Sequence, residues 1–233
     1  MLFALSLLAA LAAADPNAKV DAPAEPTLVP LLATLPEDGA WSKFEMKVEF
    51  SGQTHTVEWS VRSVGKGQQG GRDLRILETS LDQIGDLQQS VHRILVPVDG
   101  FGPNKDALGR AVRMWVKRGN DPIEMYDGIA GDAITNLWLT GATSDVKRQS
   151  EPQTIDCKGK SLKCDVFTGK SEPAVGDGTF RCDWRILQQK EVPFGLAGAK
   201  LKIRTTDGNE IDVDLKLQDY GKNAEAKLPD LLP

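Results

Sequence analysis

In Phe44-Glu45-Met46-Lys47-Val48-Glu49-Phe50 the apolar residues occupy every second position, and the same period returns in Val57-Glu58-Trp59-Ser60-Val61 and from Ile211 to Leu217. A period of two sends alternate side chains to opposite faces of an extended chain, so each segment is a strand with one buried and one solvated face. Such strands suit an antiparallel sheet, which can keep one face in water. A Gly-first two-residue turn at Gly52-Gln53 would set Val48 opposite Val57, Met46 opposite Trp59 and Phe44 opposite Val61, with both apolar faces on one side.

The C-terminal pair fixes its own register. Leu201 and Ile203 must share a face with Ile211, Val213, Leu215 and Leu217 across Thr206-Asp207-Gly208-Asn209. A two-residue Asp-Gly loop would pair Arg204 with Ile211 and split the apolar faces. A three-residue loop, Thr206 to Gly208 with the glycine left-handed, pairs Ile203 with Ile211 and Leu201 with Val213, and is the expected turn.

Further strands are expected near Arg72–Ser80, Gln88–Val96, Gln153–Lys158, Leu162–Thr168 and Thr179–Gln188, with the glycine-rich Gly65–Gly71 as a hairpin tip. Three segments read as helices. Thr27–Leu35 places Leu28, Leu31, Leu32 and Leu35 at helical spacing before Pro36; Asp106–Lys117 places Leu108, Val112, Trp115 and Val116 on one face; and Asp132 caps a short helix carrying Ile134, Leu137 and Trp138 and closed by Gly141. The fold class is therefore α+β: about eight or nine mostly antiparallel strands in one long curved sheet or open half-barrel, with two or three short helices packed on its apolar face.

Residues 1–14 (MLFALSLLAALAAA) carry no charge and end on small residues, the pattern of a signal peptide cleaved after Ala14. Residues 15–26, rich in proline and alanine, read as a flexible spacer, and 27–233 as a single β-rich domain. The expected location is periplasmic or secreted, with no transmembrane anchor left after cleavage, because the apolar run falls short of the roughly 20 residues a bilayer requires. The net charge of −5 arises from mixed Lys, Arg, Asp and Glu without a basic stripe, which argues against a nucleic-acid partner.

Little in the chain marks chemistry. His55 and His92, the two histidines, stand far apart and offer no metal cluster. Ser63-x-x-Lys66 and Ser144-x-x-Lys147 match a serine-lysine pattern, but the companion boxes of that enzyme class are missing. The glycine-rich stretches lack the Lys-Ser/Thr ending or the first glycine of a phosphate loop. No cofactor is expected. The three cysteines of an exported chain suggest one disulfide, either Cys157 with Cys164 across a tight hairpin or Cys164 with Cys182 on the next strand.

Four of the five tryptophans fall on expected apolar faces. Phe44, Met46, Val48, Trp59 and Val61 on a concave sheet, under a helix bearing Trp115, form a candidate face for an apolar ligand. Leu35-Pro36-Glu37-Asp38-Gly39-Ala40-Trp41, the stretch from Cys157 to Cys164 (CKGKSLKC) and Val192-Pro193-Phe194-Gly195-Leu196 resemble segments of uncharacterised secreted proteins of planctomycete-type bacteria. The order of leader, helix, strand meander, inserted helix and closing strands resembles the Lol-type periplasmic lipoprotein carriers, a likeness that implies an open half-barrel holding acyl chains.

Three functions follow as expectations. The first is an exported noncatalytic envelope protein that binds or carries an acyl chain or another apolar ligand. The second is a protein-protein interaction module with a filled core, contacting another envelope protein through an exposed Val192–Leu196 loop. The third is a secreted hydrolase whose carboxylates converge only in three dimensions.

Overall fold

The computed structural model describes residues 26–83, 88–128, 141–172, 174–175 and 178–229. The expected leader, most of the spacer and the helix after Asp132 lie outside these residues. Fourteen strands follow in chain order: β1 (Trp41–Phe50), β2 (Gln53–Gln69), β3 (Arg72–Leu81), β4 (Ser90–Pro97), β5 (Arg113–Arg118), β6 (Glu124–Asp127), β7 (Ser144–Arg148), β8 (Gln153–Cys157), β9 (Lys160–Ser171), β10 (Ala174–Val175), β11 (Gly178–Thr179), β12 (Arg181–Gln188), β13 (Leu196–Arg204) and β14 (Glu210–Gly221).

Twelve of them form one open sheet in the order β6-β5-β4-β3-β2-β1-β14-β13-β12-β9-β7, with β8 also on β9, while β10 and β11 pair separately. Two antiparallel meanders thus meet where β1 pairs with β14. At the far edge β9 is shared lengthwise: β8 pairs with Lys160 to Cys164, and β7 with Phe167, Thr168 and Lys170.

Both long hairpins carry the two-residue period into tertiary structure. Ile203 faces Ile211 and Leu201 faces Val213, and the Thr205 amide donates to the Asn209 carbonyl at 3.0 Å around a three-residue loop in which Gly208 has φ +88°. The first hairpin differs from expectation by two residues. Its turn is Ser51-Gly52, both at positive φ (51° and 74°), so Phe44 faces Trp59, Met46 faces Val57 and Val48 faces His55. A two-residue primed turn matches strand twist, and an even shift leaves every side chain on its expected face.

The described helices are single 3-10 turns, Val98–Gly100 and Pro193–Gly195, and two expected helices are corrected. Residues 26–40 form an irregular strap across the apolar face. Val29 and Ala142 exchange backbone hydrogen bonds at 2.8 and 2.9 Å, while the amides of Ala33 and Thr34 donate to the Phe194 carbonyl. Pro30 removes an N–H and disfavours the helical conformation at Val29, so the strap's polar groups find partners outside it. Residues 107–110 are a turn in which the Asp106 carboxylate accepts the amides of Leu108 and Gly109 at 3.1 and 2.9 Å. Arg113–Arg118 then pairs with β4, where Met114, Trp115 and Val116 fit a strand better than a helix.

The sheet wraps around the strap. Ala33 accepts the Gly102 amide in the loop after β4, and Pro30 accepts Gln188 Nε2 from β12, although β4 and β12 stand six places apart in the sheet order, about 29 Å if it lay flat. Leu31, Leu32, Phe101, Leu108 and Phe194 fill the inside against Phe44, Met46, Leu77, Ile94, Ile186 and Leu215, forming one cluster. A smaller cluster of Leu74, Leu95, Trp115 and Leu228 lies apart from it.

Candidate functional site

Where the strap passes between the β4 loop and the β7–β9 edge, it leaves an open groove of about 1420 Å³. Leu28, Val29, Pro30, Ala33 and Leu35 of the strap form one wall, Val98, Phe101 and Pro103 a second, and Phe167 with Pro152 a third. Leu35 is 39% exposed, an apolar side chain turned outward at the mouth.

The polar groups of these walls hold the walls in place. Asn104 Oδ1 accepts the amides of Thr27 and Leu28 at 2.8 and 3.2 Å, which ties the start of the strap to the loop. Arg148 Nη2 lies 2.7 Å from Asp165 Oδ1 across β7 and β9, and Gln189 Nε2 donates to the Lys163 carbonyl at 2.7 Å. Lys163, Lys190 and Glu191 complete the rim.

The sequence-derived ligand face divides. Phe44, Met46, Val48, Trp59 and Val61 lie together in the main cluster, each at most 7% exposed, with the Phe44 and Trp59 rings 5.1 Å apart. Trp115 does not join them. On β5 its neighbours Met114 and Val116 face inward, while Trp115 stands opposite Arg93 in the separate outer cluster. Phe194, expected as an exposed contact, is fully buried.

The cysteines are corrected as well: Cys157, Cys164 and Cys182 are all free and buried. The β8–β9 turn is Lys158-Gly159, so Cys157 faces Lys160 and Cys164 faces Gln153, about 13 Å further along the strand. Cys182 faces Ser171, seven positions from Cys164 on β9. A disulfide requires Cα atoms within about 7 Å. Burial pushes the Cys164 thiol up to about 11 and the Cys182 thiol up to about 12, which leaves them poor nucleophiles.

Other chemistry is equally disjoint. Among the described residues no group of three His, Cys, Asp or Glu could hold a metal ion. The buried Ser63 hydroxyl has no hydrogen-bond partner, Lys66 included, and Ser144 Oγ donates to the Lys170 carbonyl at 3.4 Å rather than meeting Lys147.

One polar feature of the inner face gave no motif. Arg75 shares the face of Leu77 and Val96, is 7% exposed, and keeps Nε and Nη1 without hydrogen bonds; Asp38 Oδ1 stands 3.7 Å from Nη1. Arg75 lines a second recess of about 490 Å³ with Lys66, Gln68, Asp73 and Val98, and Val98 also belongs to the large groove. Its strand face also carries Asp73 and Thr79 beside Leu77 and Leu81, so alternation gave no signal that Arg75 turns inward. The groove-lining Leu28, Leu35, Phe101 and Phe167 carried no signal either, because only the fold brings them together.

No protein-family model matches the chain, and no curated protein matches it. Among solved structures it is similar to the crystal structure of a DUF1329 family protein from Desulfovibrio piger, with a TM-score of 0.35 and 12% identity over 77% of this chain and 84% of that one.

Proposed function

We propose that this chain is an exported, noncatalytic protein of the cell envelope that binds an acyl chain or a similar apolar ligand in the groove between its strap and the β7–β9 edge. The carrying observation is the groove itself. At about 1420 Å³ it exceeds the roughly 300–1,000 Å³ of an ordinary small-ligand pocket, and Leu28, Leu35, Val98, Phe101, Pro103 and Phe167 give it an apolar lining. Of its charged and amide side chains, Arg148, Asp165, Gln188 and Gln189 are engaged within the walls, while Lys163, Lys190 and Glu191 stand at the rim, so apolar contact is the attraction along the groove and charge meets a guest at its edge.

The open antiparallel sheet suits the resemblance to Lol-type carriers, and the uncharged stretch at residues 1–14 supports export. The ligand face moves from Phe44, Met46, Val48, Trp59, Val61 and Trp115 to the groove, since the first five already pack in the main cluster and Trp115 in the outer one.

Native mass spectrometry of the protein purified from the periplasm of an exporting host tests this reading. A reproducible adduct of lipid mass is expected. A bare polypeptide that also ignores added fatty acids would remove the carrier function.

A further inference from the structure

The outer face of β3 and β4 holds a second built site, with none of Glu78, Arg93, Ser80, Leu95 and Trp115 lining the groove. Glu78 is fully buried and Arg93 is 4% exposed, with Arg93 Nε and Nη2 lying 3.0 and 2.7 Å from Glu78 Oε1. A buried ion pair is costly unless its remaining donors and acceptors are used. Here a peptide backbone uses them. Lys227 N donates to Glu78 Oε2 at 2.6 Å and Leu228 N to Oε1 at 3.1 Å, while Arg93 Nη2 donates to the Leu228 carbonyl at 2.6 Å and Nη1 to the Pro229 carbonyl at 2.5 Å.

The side chains of the same peptide are read as well. Leu228, 6% exposed, sits among Leu74, Leu95 and Trp115, and Lys227 Nζ donates to Ser80 Oγ at 3.0 Å. This segment belongs to no strand; it is reached from β14 through residues 222–226, with Ala224 N on the Gly39 carbonyl and Trp41 Nε1 on the Lys222 carbonyl. Every contact of Lys227, Leu228 and Pro229 named here is one that an unconnected peptide could make.

We propose that Glu78, Arg93, Ser80 and the Leu74–Leu95–Trp115 pocket form a docking site for an extended, leucine-bearing peptide, which the C-terminal segment occupies in cis and which accepts the same segment from a second copy in trans. A backbone-reading ion pair beside one apolar pocket is the chemistry of extended-peptide recognition. The short connection gives the cis segment a high effective concentration, so the free site is exposed only when the tail is displaced, and exchange between copies is a swap of identical elements.

The test uses the full chain carrying Leu228→Asp, which unseats the tail, and a fluorescent peptide of residues 222–229 read by anisotropy. Saturable binding is expected, at least about tenfold weaker to the unsubstituted chain and at least about tenfold weaker for a peptide with Asp at the leucine position. A folded Leu228→Asp chain that does not bind, or that binds both peptides alike, overturns the proposal, as does equal binding to the unsubstituted chain. Should Leu228→Asp not fold, hydrogen exchange of the unsubstituted chain decides. Excess peptide must speed exchange at the Lys227 and Leu228 amides, and unchanged exchange overturns the site.

Discussion

The carbonyl of Phe194 accepts the Ala33 amide at 2.8 Å, and the same oxygen takes the next amide, Thr34, at 3.2 Å. Phe194 reaches this position in a left-handed conformation, φ +65°, which costs a non-glycine residue about 1–2 kcal/mol. Its ring, fully buried in the main cluster, offsets that strain and locks the strap over the sheet.

Phe194→Ala is therefore expected to lower unfolding free energy by about 3–5 kcal/mol and to speed amide exchange at Ala33 and Thr34. Denaturant unfolding and hydrogen exchange check the two halves. Unchanged exchange at Ala33 would mean that the strap is held elsewhere.

Thiol counting provides a second test. With Cys157, Cys164 and Cys182 buried and free, a thiol reagent at pH 8 should find almost no reactive sulfur in the native protein and three equivalents after denaturation. A count of one in the denatured protein would reveal a disulfide. The raised thiols also set a pH dependence. The folded state keeps protons on Cys164 up to about 11 and on Cys182 up to about 12, whereas an unfolded thiol loses its proton near the ordinary value of roughly 8.5. Stability from these groups is thus fully present below that value and is lost as pH rises through 9 to 12, which denaturant midpoints across that range would show.

The strands were readable because their signal is local: a period of two plus parity fixed the β13–β14 register before any long-range contact was known. Parity alone could not distinguish the Ser51-Gly52 turn from Gly52-Gln53, since both keep Phe44, Met46 and Val48 on one face. The two corrected helices failed for a different reason. Leu28, Leu31 and Leu32 have helical spacing, but Val29 bridges Ala142 and the amide of Ala33 belongs to Phe194, partners invisible in the sequence. Trp115 went astray with its helix, because a strand sends it to the opposite face from Met114 and Val116. The groove was the least legible part, assembled from the strap, the β4 loop and β9.

Arg75 supplies a third prediction. A buried guanidinium with unmade hydrogen bonds is a liability to the fold, so Arg75→Met should leave stability unchanged or raise it by about 1 kcal/mol, with Asp38 left facing water. If the recess behind Val98 receives the carboxylate of an acyl ligand, the same variant should weaken fatty-acid binding about tenfold or more and leave fatty-alcohol binding unaltered. Calorimetric titration with both ligands checks it; equal losses for acid and alcohol would show that Arg75 only shapes the site.

The central claim is that a chain-like ligand lies along the strap, and photo-crosslinking with a diazirine-bearing fatty acid locates it directly. Labelled peptides should map to residues 28–35, Phe101 and Phe167, and an excess of unlabelled fatty acid should abolish the labelling. Labelling confined to exposed apolar residues outside the groove, such as Phe50 and Met125, or labelling that competitor does not reduce, would contradict the account.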